Sequence, residues 1–332
     1  MNYQKSQQIL DEVKKAKRIL LNCHYGADPD GIGSTLALKL VLEKLGKKVD
    51  VICPSKKLSQ QTNFLTGFND ITLGIDFYSF DFDKYDLCMF LDTSDVDVLT
   101  GQDRELIINK FIVVIDHHQT FHLKNDLKIL DTNSSSVGEI LYKVFKDWNI
   151  ELDQQIAECL LTSIIGDTGT FSYTGATSET LRIGSDLMSL GADKSMISDR
   201  IYRGEDFRIL KFWAEVLSRI QIDKEYGFVW STVPNNIYKD YEDLPAVKSK
   251  TASIFAPIVD GTDFGFIGIE EKPNTFTVSF RGRTDFDTSR IAEELGGGGH
   301  PISSAVRMED INFDDAVEKV LTVCRKYANK KV

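Results

Sequence analysis

An uninterrupted apolar run, Phe111–Ile115, ends directly at the triplet Asp116-His117-His118. Five consecutive apolar residues of this kind predict a strand that is covered on both faces of a parallel sheet. Open α/β sheets place their sites outside the carboxyl ends of such strands. An acid and two imidazoles at that position are difficult to explain by packing, so we interpret them as part of a metal-binding site.

Three other apolar segments are followed by the same kinds of side chain. Arg18–Cys23 precedes His24, Asp28 and Asp30; Leu87–Leu91 precedes Asp92; Leu160–Gly166 precedes Asp167. Taken alone, Asp92 or Asp167 could equally be a turn or helix-cap residue, and His24 is better interpreted as a half-buried structural histidine. The repetition in four segments predicts instead that all of them meet at one edge of the sheet.

If the four segments end at one edge of the sheet, four carboxylates lie in one pocket. Like charges at short range raise one another's pKa and destabilise the fold, whereas two divalent cations would cancel the four charges. Oxygen-rich ligation with two imidazoles and no cysteine favours Mn²⁺ over zinc, with Mg²⁺, Fe²⁺ or Co²⁺ as alternatives. Two such ions, ~3.5–4 Å apart, suit displacement at phosphorus. A calcium site fits poorly, because the acids lack EF-hand spacing.

The order of strand-like and helix-like segments predicts an α/β fold with two domains. Alternation over the first two-thirds indicates a parallel sheet with flanking helices, and the succession of strands after residue 222 indicates a smaller α+β domain. We predict a catalytic domain at residues 1–195, a helical connector at 196–222, and a substrate-binding domain at 223–332, with a cleft between the domains. Within the first domain, Ser34 is predicted to be the N-cap of a helix over Ser34–Leu45.

Charge and cysteine usage limit the class of protein. A net charge of −11 argues against a protein that coats long nucleic acid, but leaves a nucleotide or short RNA as substrate. The five cysteines form no CxxC pair, which is typical of a reducing cytosol. No segment approaches the ~20 apolar residues of a membrane span. We therefore expect a cytoplasmic protein with no membrane and no stable long nucleic-acid partner, and leave open whether it forms a homodimer.

Arg281-Gly282-Arg283 is a candidate phosphate-binding segment near the carboxy terminus. Residues two apart share one face of a strand, so Arg281 and Arg283 could together bind a substrate phosphate. Without further information, solvated charges that protect a strand edge are the favoured interpretation.

Four consecutive glycines precede His300. One glycine, Gly296, is enough to end the preceding helix. The next three favour close approach of the backbone to an anionic ligand, with amide groups directed toward it: Gly297, Gly298 and Gly299. His300 would add a side-chain contact to a phosphate or base.

These segments together resemble the DHH phosphoesterases. The H-x3-D-x-D segment at 24–30, the isolated Asp92, the triplet at 116–118 and Asp167 are similar to the four motifs of that family, in the same order. Gly296–His300 resembles the GGGH motif of the DHH-associated domain in the nanoRNase/pAp-phosphatase branch. The first motif departs locally from the usual pattern, because Ala27 precedes Asp28 and Pro29 follows it.

The resemblance implies a role for each residue. One metal would take His24, Asp28 and Asp92, and the second would take Asp30, Asp92, His117 and Asp167, with Asp92 bridging. His118 would face the scissile phosphate, and Asp116 would orient His117 from behind. The catalytic set is therefore Asp92, Asp116 and His118.

The resemblance also implies an activity. Family members of this branch hydrolyse short oligoribonucleotides and linear dinucleotides such as pApA to mononucleotides, and 3′-phosphoadenosine 5′-phosphate (pAp) to AMP. The alternatives are a cyclic-dinucleotide phosphodiesterase, a family II-like inorganic pyrophosphatase and a non-catalytic nucleotide sensor. The segment Gly296–His300 argues against the pyrophosphatase, and the presence of every ligand argues against the sensor.

Overall fold

The computed structural model describes residues 2–173, 175–203, 206–244 and 247–330, with only the backbone of Ser249. The chain divides into two compact units, Met1–Gly204 and Glu205–Val332. We describe each unit separately. The two domain boundaries drawn from the sequence, after residues 195 and 222, stay predictions.

The first unit is built on a six-stranded parallel sheet, which confirms the predicted α/β class. Its strands are β1 (Arg18–Asn22), β2 (Lys48–Cys53), β3 (Ile71–Leu73), β4 (Leu87–Leu91), β5 (Phe111–Asp116) and β6 (Leu127–Leu130). Their spatial order is β3-β2-β1-β4-β5-β6, and every pair is parallel. The strand order reverses between β1 and β4. In sheets of this kind, ligands bind outside the carboxyl ends of the two strands at the reversal.

Helices and loops cover the two faces of this sheet. The helices are α1 (Ser6–Lys15), α2 (Pro29–Lys44), α3 (Val96–Thr100), α4 (Val137–Asp147), α5 (Gln154–Thr168), α6 (Ser178–Ser189) and α7 (Lys194–Tyr202), with 3₁₀ turns at Gln60–Thr62, Phe68–Asp70 and Phe82–Lys84. All five residues of β4 are buried, as expected of a central strand with both faces covered. The larger core cluster joins one face to α1, α2, α4 and α5. Aromatic loop residues pack on the other face.

Helix α2 begins five residues before the predicted start. Its N-cap is Asp28, whose side chain accepts hydrogen bonds from the backbone amides of Asp30 and Gly31, and Pro29 occupies the first helical position. Aspartate followed by proline is itself a strong helix start. The prediction that Ser34 is the N-cap is therefore wrong; its hydroxyl donates to the carbonyl of Asp30 at 2.7 Å.

Asp167 lies on a helix and not at the end of a strand. The apolar run Leu160–Gly166 belongs to α5, which is capped by Asp153 and ends at Gly169 in the left-handed conformation. Apolar residues at helical spacing over residues 154–165 predict this helix, and α5 confirms it. The last turn of α5 nevertheless brings Asp167 to the carboxyl edge of the sheet.

The second unit contains a mixed six-stranded sheet, in agreement with the predicted α+β domain. Its strands are β7 (Gln221–Asp223), β8 (Phe228–Val233), β9 (Phe264–Lys272), β10 (Thr275–Gly282), β11 (Gly298–His300) and β12 (Ser303–Glu309). The order is β11-β12-β10-β9-β8-β7, and β8 pairs with β9 in parallel while the other pairs are antiparallel. The helices are α8 (Phe207–Leu217), α9 (Asn235–Tyr238), α10 (Val247–Phe255), α11 (Ser289–Glu294) and α12 (Phe313–Tyr327).

Separate apolar clusters cover the two faces of the second sheet. A phenylalanine-rich cluster joins one face to α11 and α12, and another cluster joins the opposite face to α8 and α10. All five cysteines of the chain are free and buried. Among the residues that the structure describes, no helix has both the length and the apolar content needed to cross a membrane.

Candidate metal centre

Three overlapping groups of side chains lie at the carboxyl edge of the first sheet. Within each group, one potential ligand atom per residue lies within 4.8 Å of the others. The groups are His24, Asp28 and Asp92; Asp30, His117 and Asp167; and Asp92, His117 and His118. The structure therefore brings together the side chains that the sequence singled out as ligands, with Asp92 and His117 each shared by two groups.

Asp92 occupies the centre of the cluster in an unusual backbone conformation. It follows β4 with φ of 52°, and its amide donates to the carbonyl of Ile115 at 3.1 Å. Aspartate tolerates the left-handed region better than most residues, but the conformation still carries strain that the surroundings must hold. As a result Oδ2 lies 3.4 Å from His24 Nε2, and Oδ1 lies 3.7 Å from His117 Nε2.

The ring of His24 fits against a glycine in the first turn of α2. A Cβ atom on Gly31 would lie 2.6 Å from both Cδ2 and Nε2 of that ring. On its other side, Nδ1 lies 3.0 Å from the carbonyl of Tyr25. A proton on Nδ1 would satisfy that carbonyl and leave the lone pair of Nε2 for a metal.

Asp30 is anchored by the start of α4. Its carboxylate accepts from the backbone amides of Val137 at 2.9 Å and Gly138 at 3.3 Å, and from the hydroxyl of Ser163. The positive end of a helix stabilises a carboxylate in this position. Neither Ser163 nor the N-terminus of α4 was predicted to belong to the site, because nothing in the sequence pairs them with Asp30.

The two imidazoles of the triplet are oriented by different groups. His117 Nε2 lies 3.2 Å from Asp167 Oδ2 and 3.7 Å from Asp30 Oδ2, while Nδ1 lies 3.3 Å from the carbonyl of Ser134. His118 instead directs Nδ1 to Asp116 Oδ1 at 2.7 Å. The ring of His117 is thus held by a backbone carbonyl, which differs from the predicted role of Asp116.

A single carboxylate oxygen of Asp116, Oδ1, accepts all of its hydrogen bonds from the triplet. Besides the ring of His118, Oδ1 accepts from the backbone amides of His117 at 2.6 Å and His118 at 3.1 Å. Asp116 is fully buried, so these contacts fix the turn that follows β5.

The protonation equilibria of the pocket are strongly perturbed. Burial and the charges of Asp28 and Asp92 raise the pKa of Asp167 to about 8. Burial lowers the pKa of His24, but its close contact with Asp92 outweighs that effect and raises the pKa to about 8. The hydrogen bond that His118 donates to the carboxylate of Asp116 raises the pKa of His118 to about 9. Without a cation, the cluster therefore retains protons to relieve its negative charge.

Three buried atoms of this pocket have no hydrogen-bond partner within the described part of the chain: His24 Nε2, Asp92 Oδ1 and Asp116 Oδ2. Leaving a buried polar atom unsatisfied costs free energy, so such atoms need an explanation. For His24 and Asp92, both in the ligand groups, a bound cation supplies one. The donor set of carboxylates and imidazoles fits a divalent ion such as Mn²⁺ or Mg²⁺.

The predicted substrate-binding arginines lie in the second unit and contact protein groups there. Arg281 Nε donates to Ser253 Oγ at 2.9 Å, and Nη1 donates to the carbonyl of Phe280 at 2.7 Å. Arg283 donates to the carbonyl of Thr262 and to Asp260, both at 3.2 Å. Burial lowers the pKa of Arg281.

Packing against β12 explains why two positions of the run are glycine. A Cβ on Gly297 would lie 2.7 Å from Val306 Cα, and a Cβ on Gly299 would lie 2.6 Å from Ser304 Cα. Both glycines therefore allow the run to approach β12. Gly298 has no atom within 4 Å of a Cβ position, and His300 is exposed at the end of β11. These last two positions are open to a ligand.

Comparison with known proteins gives a family domain and a relative of similar length. Residues 18–164 match the N-terminal domain of the DHH family. A protein of Streptococcus mutans serotype c, named as a probable bifunctional oligoribonuclease and PAP phosphatase NrnA, is 27% identical to this chain over 300 residues. The alignment covers 89% of this chain and 91% of that protein.

Solved structures share the fold. An exopolyphosphatase-related protein from Bacteroides fragilis superimposes with a TM-score of 0.84 at 22% identity, covering 97% of this chain and 96% of that one. RecJ of Thermus thermophilus in complex with Mn²⁺ gives a TM-score of 0.54 at 15% identity, covering 98% of this chain and 55% of that one.

Proposed function

We propose that this chain, which carries a DHH-family N-terminal domain, is a metal-dependent phosphoesterase that hydrolyses short oligoribonucleotides and pAp. The observation that carries the proposal is the convergence of His24, Asp28, Asp30, His117 and Asp167 around Asp92. The relative from Streptococcus mutans is named for the same two activities and matches nine-tenths of its length, which supports this choice of substrates.

The ligand groups suggest how two divalent ions would be held. His24, Asp28 and Asp92 would bind one ion, and Asp30, Asp92, His117 and Asp167 would bind the other. We propose Mn²⁺ for both, with Mg²⁺, Fe²⁺ or Co²⁺ as substitutes. When bound, such ions lower the pKa of a coordinated water and neutralise charge on the phosphoryl oxygens.

The remaining side chains of the pocket would position the phosphate and handle protons. The side chain of His118 is about half exposed, at 48%, and its Nδ1 is engaged by Asp116. Its Nε2 is thereby left to donate a proton to a substrate oxygen. Hydrogen-bond donors that are fixed before the reaction stabilise charge at phosphorus without reorganisation. We therefore assign His118 to the scissile phosphate and Asp116 to holding its ring.

We propose that the second unit binds the nucleotide end of the substrate. Gly298 and His300 are open to a ligand. The guanidiniums of Arg281 and Arg283 could donate hydrogen bonds to a terminal phosphate. The net charge of −11 supports short substrates over long nucleic acid. We also propose a cytosolic location, because the five cysteines are free and buried.

A substrate panel tests this proposal. Purified protein is stripped of metal, reloaded with Mn²⁺, and incubated separately with pApA, a 5′-phosphorylated RNA trimer, pAp, a cyclic dinucleotide and pyrophosphate. We expect mononucleotides from the first two substrates and AMP from pAp, and none of these products from Asp92→Asn. Failure to cleave pApA, RNA and pAp, or cleavage of pyrophosphate alone, would overturn the proposal.

A further inference from the structure

Two exposed tyrosines lie on the loops that follow the proposed metal ligands. Tyr25 comes directly after His24, and Tyr173 lies six residues after Asp167. Each side chain is 58% exposed. Neither hydroxyl makes a hydrogen bond within the described part of the chain. Large aromatic side chains are usually mostly buried, so two exposed rings next to one site require an explanation.

Each ring lies on a glycine at the end of a helix. A Cβ on Gly101 would lie 2.6–3.0 Å from three ring atoms of Tyr25, and a Cβ on Gly169 would lie 2.5–2.9 Å from three ring atoms of Tyr173. Both glycines are left-handed C-caps, of α3 and α5 respectively. One face of each ring therefore packs against the backbone of a glycine, and the rest of the ring is largely exposed to solvent.

The segment that carries Tyr173 is held in a strained conformation. Thr170 and Phe171 have φ of 59° and 66°, which non-glycine residues rarely adopt. The amides of Ser172 and Tyr173 both donate to the carbonyl of Thr168, at 2.8 and 2.9 Å. Strain of this kind persists only where surrounding contacts enforce it, and it is concentrated at functional sites.

Tyr202 contacts the same end of α5 on which the ring of Tyr173 lies. Its hydroxyl donates to the carbonyls of Ile165 and Gly166, each at 2.9 Å, immediately before Asp167. Burial raises the pKa of Tyr202, and the charges of Tyr173, Asp167 and Asp28 raise it further.

We propose that Tyr25 and Tyr173 are stacking platforms for the nucleobases on either side of the scissile phosphate. This proposal rests on the function proposed above and assigns the base-binding surface within the first unit. A ring supported on one face and open on the other suits stacking with a flat base. Stacking tolerates any base, because every base has a π-face. The two platforms would therefore hold short oligonucleotides with little sequence preference.

The test compares substrates with and without bases. Wild type, Tyr25→Leu, Tyr173→Leu and the matched variants Tyr25→Phe and Tyr173→Phe are assayed with a 5′-phosphorylated dinucleotide and with its abasic analogue. We expect each leucine variant to raise KM for the dinucleotide by roughly 5- to 150-fold, and to raise KM for the abasic analogue far less. The phenylalanine variants should retain most of the affinity, because they keep the ring.

Equilibrium binding separates this proposal from the proposed function. Binding of AMP and of ribose 5-phosphate to the Mn²⁺-loaded proteins is measured by calorimetry, which needs no turnover. The proposal predicts that wild type binds AMP more tightly and that the leucine variants lose this preference. Equal binding of the two ligands by wild type, or leucine variants that keep the preference for AMP, would overturn the stacking role even if hydrolysis is normal. Phenylalanine variants as weak as the leucine variants would also overturn it.

Discussion

Among single residues, Asp92 is the one on which the proposed metal centre depends most. Its left-handed backbone places one carboxylate beside His24 on one side and His117 on the other. Asp92 belongs to two of the ligand groups, so its replacement should affect both of the proposed ions. The backbone strain also means that an alanine at this position would change the fold and the charge together.

Asp92→Asn isolates the charge, because asparagine tolerates the left-handed conformation as well as aspartate does. We expect hydrolysis of pApA to fall to the background rate while the far-UV circular dichroism spectrum stays that of wild type. Near-normal turnover by this variant would show that Asp92 does not bridge the two ligand groups.

The orientation of the histidines was the part of the site that could not be predicted from the sequence. The ligand residues could be predicted, since acids and histidines after apolar runs have a recognisable pattern. The carbonyl that holds His117 belongs to Ser134, and a backbone carbonyl leaves no signature in a sequence. Ser163 was missed for a different reason: its side-chain contact with Asp30 joins residues that are 133 positions apart.

Asp116→Asn tests the observed arrangement. The amide oxygen can still accept from the backbone, but the ring of His118 loses its charged partner. Loss of such a supporting contact costs ~10–100-fold in activity or metal affinity. We expect the loss in kcat with the Mn²⁺ content preserved. A loss of bound Mn²⁺ would indicate that Asp116 acts on the ligand His117 instead.

At the scale of helices and strands, close helix packing assembles the ligands. Helix α2 carries Asp28 at its cap and Asp30 in its first turn, and α5 carries Asp167. The two helices touch at Gly33, where a Cβ would lie 2.6 Å from the carbonyl of Cys159 and 2.9 Å from the amide of Ser163. Neither contact involves a flexible side-chain end, so any side chain at this position must push the helices apart.

Gly33→Ala should therefore destabilise the protein and weaken metal binding together. Overpacking of a tight contact costs about 1–3 kcal/mol in the free energy of unfolding, which urea denaturation measures. Gly175→Ala is the matched control, because no atom lies within 4 Å of a Cβ at Gly175. A Gly33→Ala protein as stable as the control would contradict the proposed packing constraint.

The sequence predicted the long elements better than the short ones. The apolar positions over Phe313–Tyr327 repeat regularly for four turns and predict a helix with these bounds, which are those of α12. Strands β3, β6 and β11 have three or four residues each, which is too few for any periodicity to show. The apolar spacing over residues 154–165 predicts the helix α5, so only the grouping of Asp167 with acids at strand ends was wrong.

At the scale of the whole molecule, the acidic cluster couples metal binding to stability. The pKa values of Asp167 and His24 are both raised to about 8, from ordinary values of 3.8 and 6.5. A group whose pKa is raised in the folded state contributes stability below its unfolded pKa, and this contribution is lost as pH rises through the folded value. Both groups therefore favour the metal-free fold at low pH.

The metal-free protein should accordingly have a lower Tm at pH 8 than at pH 5.5. Added Mn²⁺ should raise the Tm more at pH 8, since protons compete with the ion for the same atoms at low pH. Differential scanning calorimetry at the two pH values, with and without Mn²⁺, measures both effects. A metal-free Tm that rises with pH over this range would contradict the assigned directions.

The second unit should affect substrate affinity without affecting the metals. His300 is exposed in that unit, whereas every proposed ligand lies in the first unit. We expect His300→Ala to raise KM for pApA while the bound Mn²⁺ per chain stays that of wild type. An unchanged KM would remove His300 from the proposed binding surface.

The central claim is that the cluster around Asp92 binds two divalent ions that are required for hydrolysis of phosphate esters. The most direct measurement titrates metal-free protein with Mn²⁺, and follows bound ion by electron paramagnetic resonance and hydrolysis of pApA in the same samples. We expect two ions per chain at saturation and no hydrolysis before Mn²⁺ is added. Full hydrolysis of pApA by protein kept free of metal with a chelator would contradict the proposed role of the ions. So would a protein that binds no Mn²⁺ at saturating concentrations of the ion.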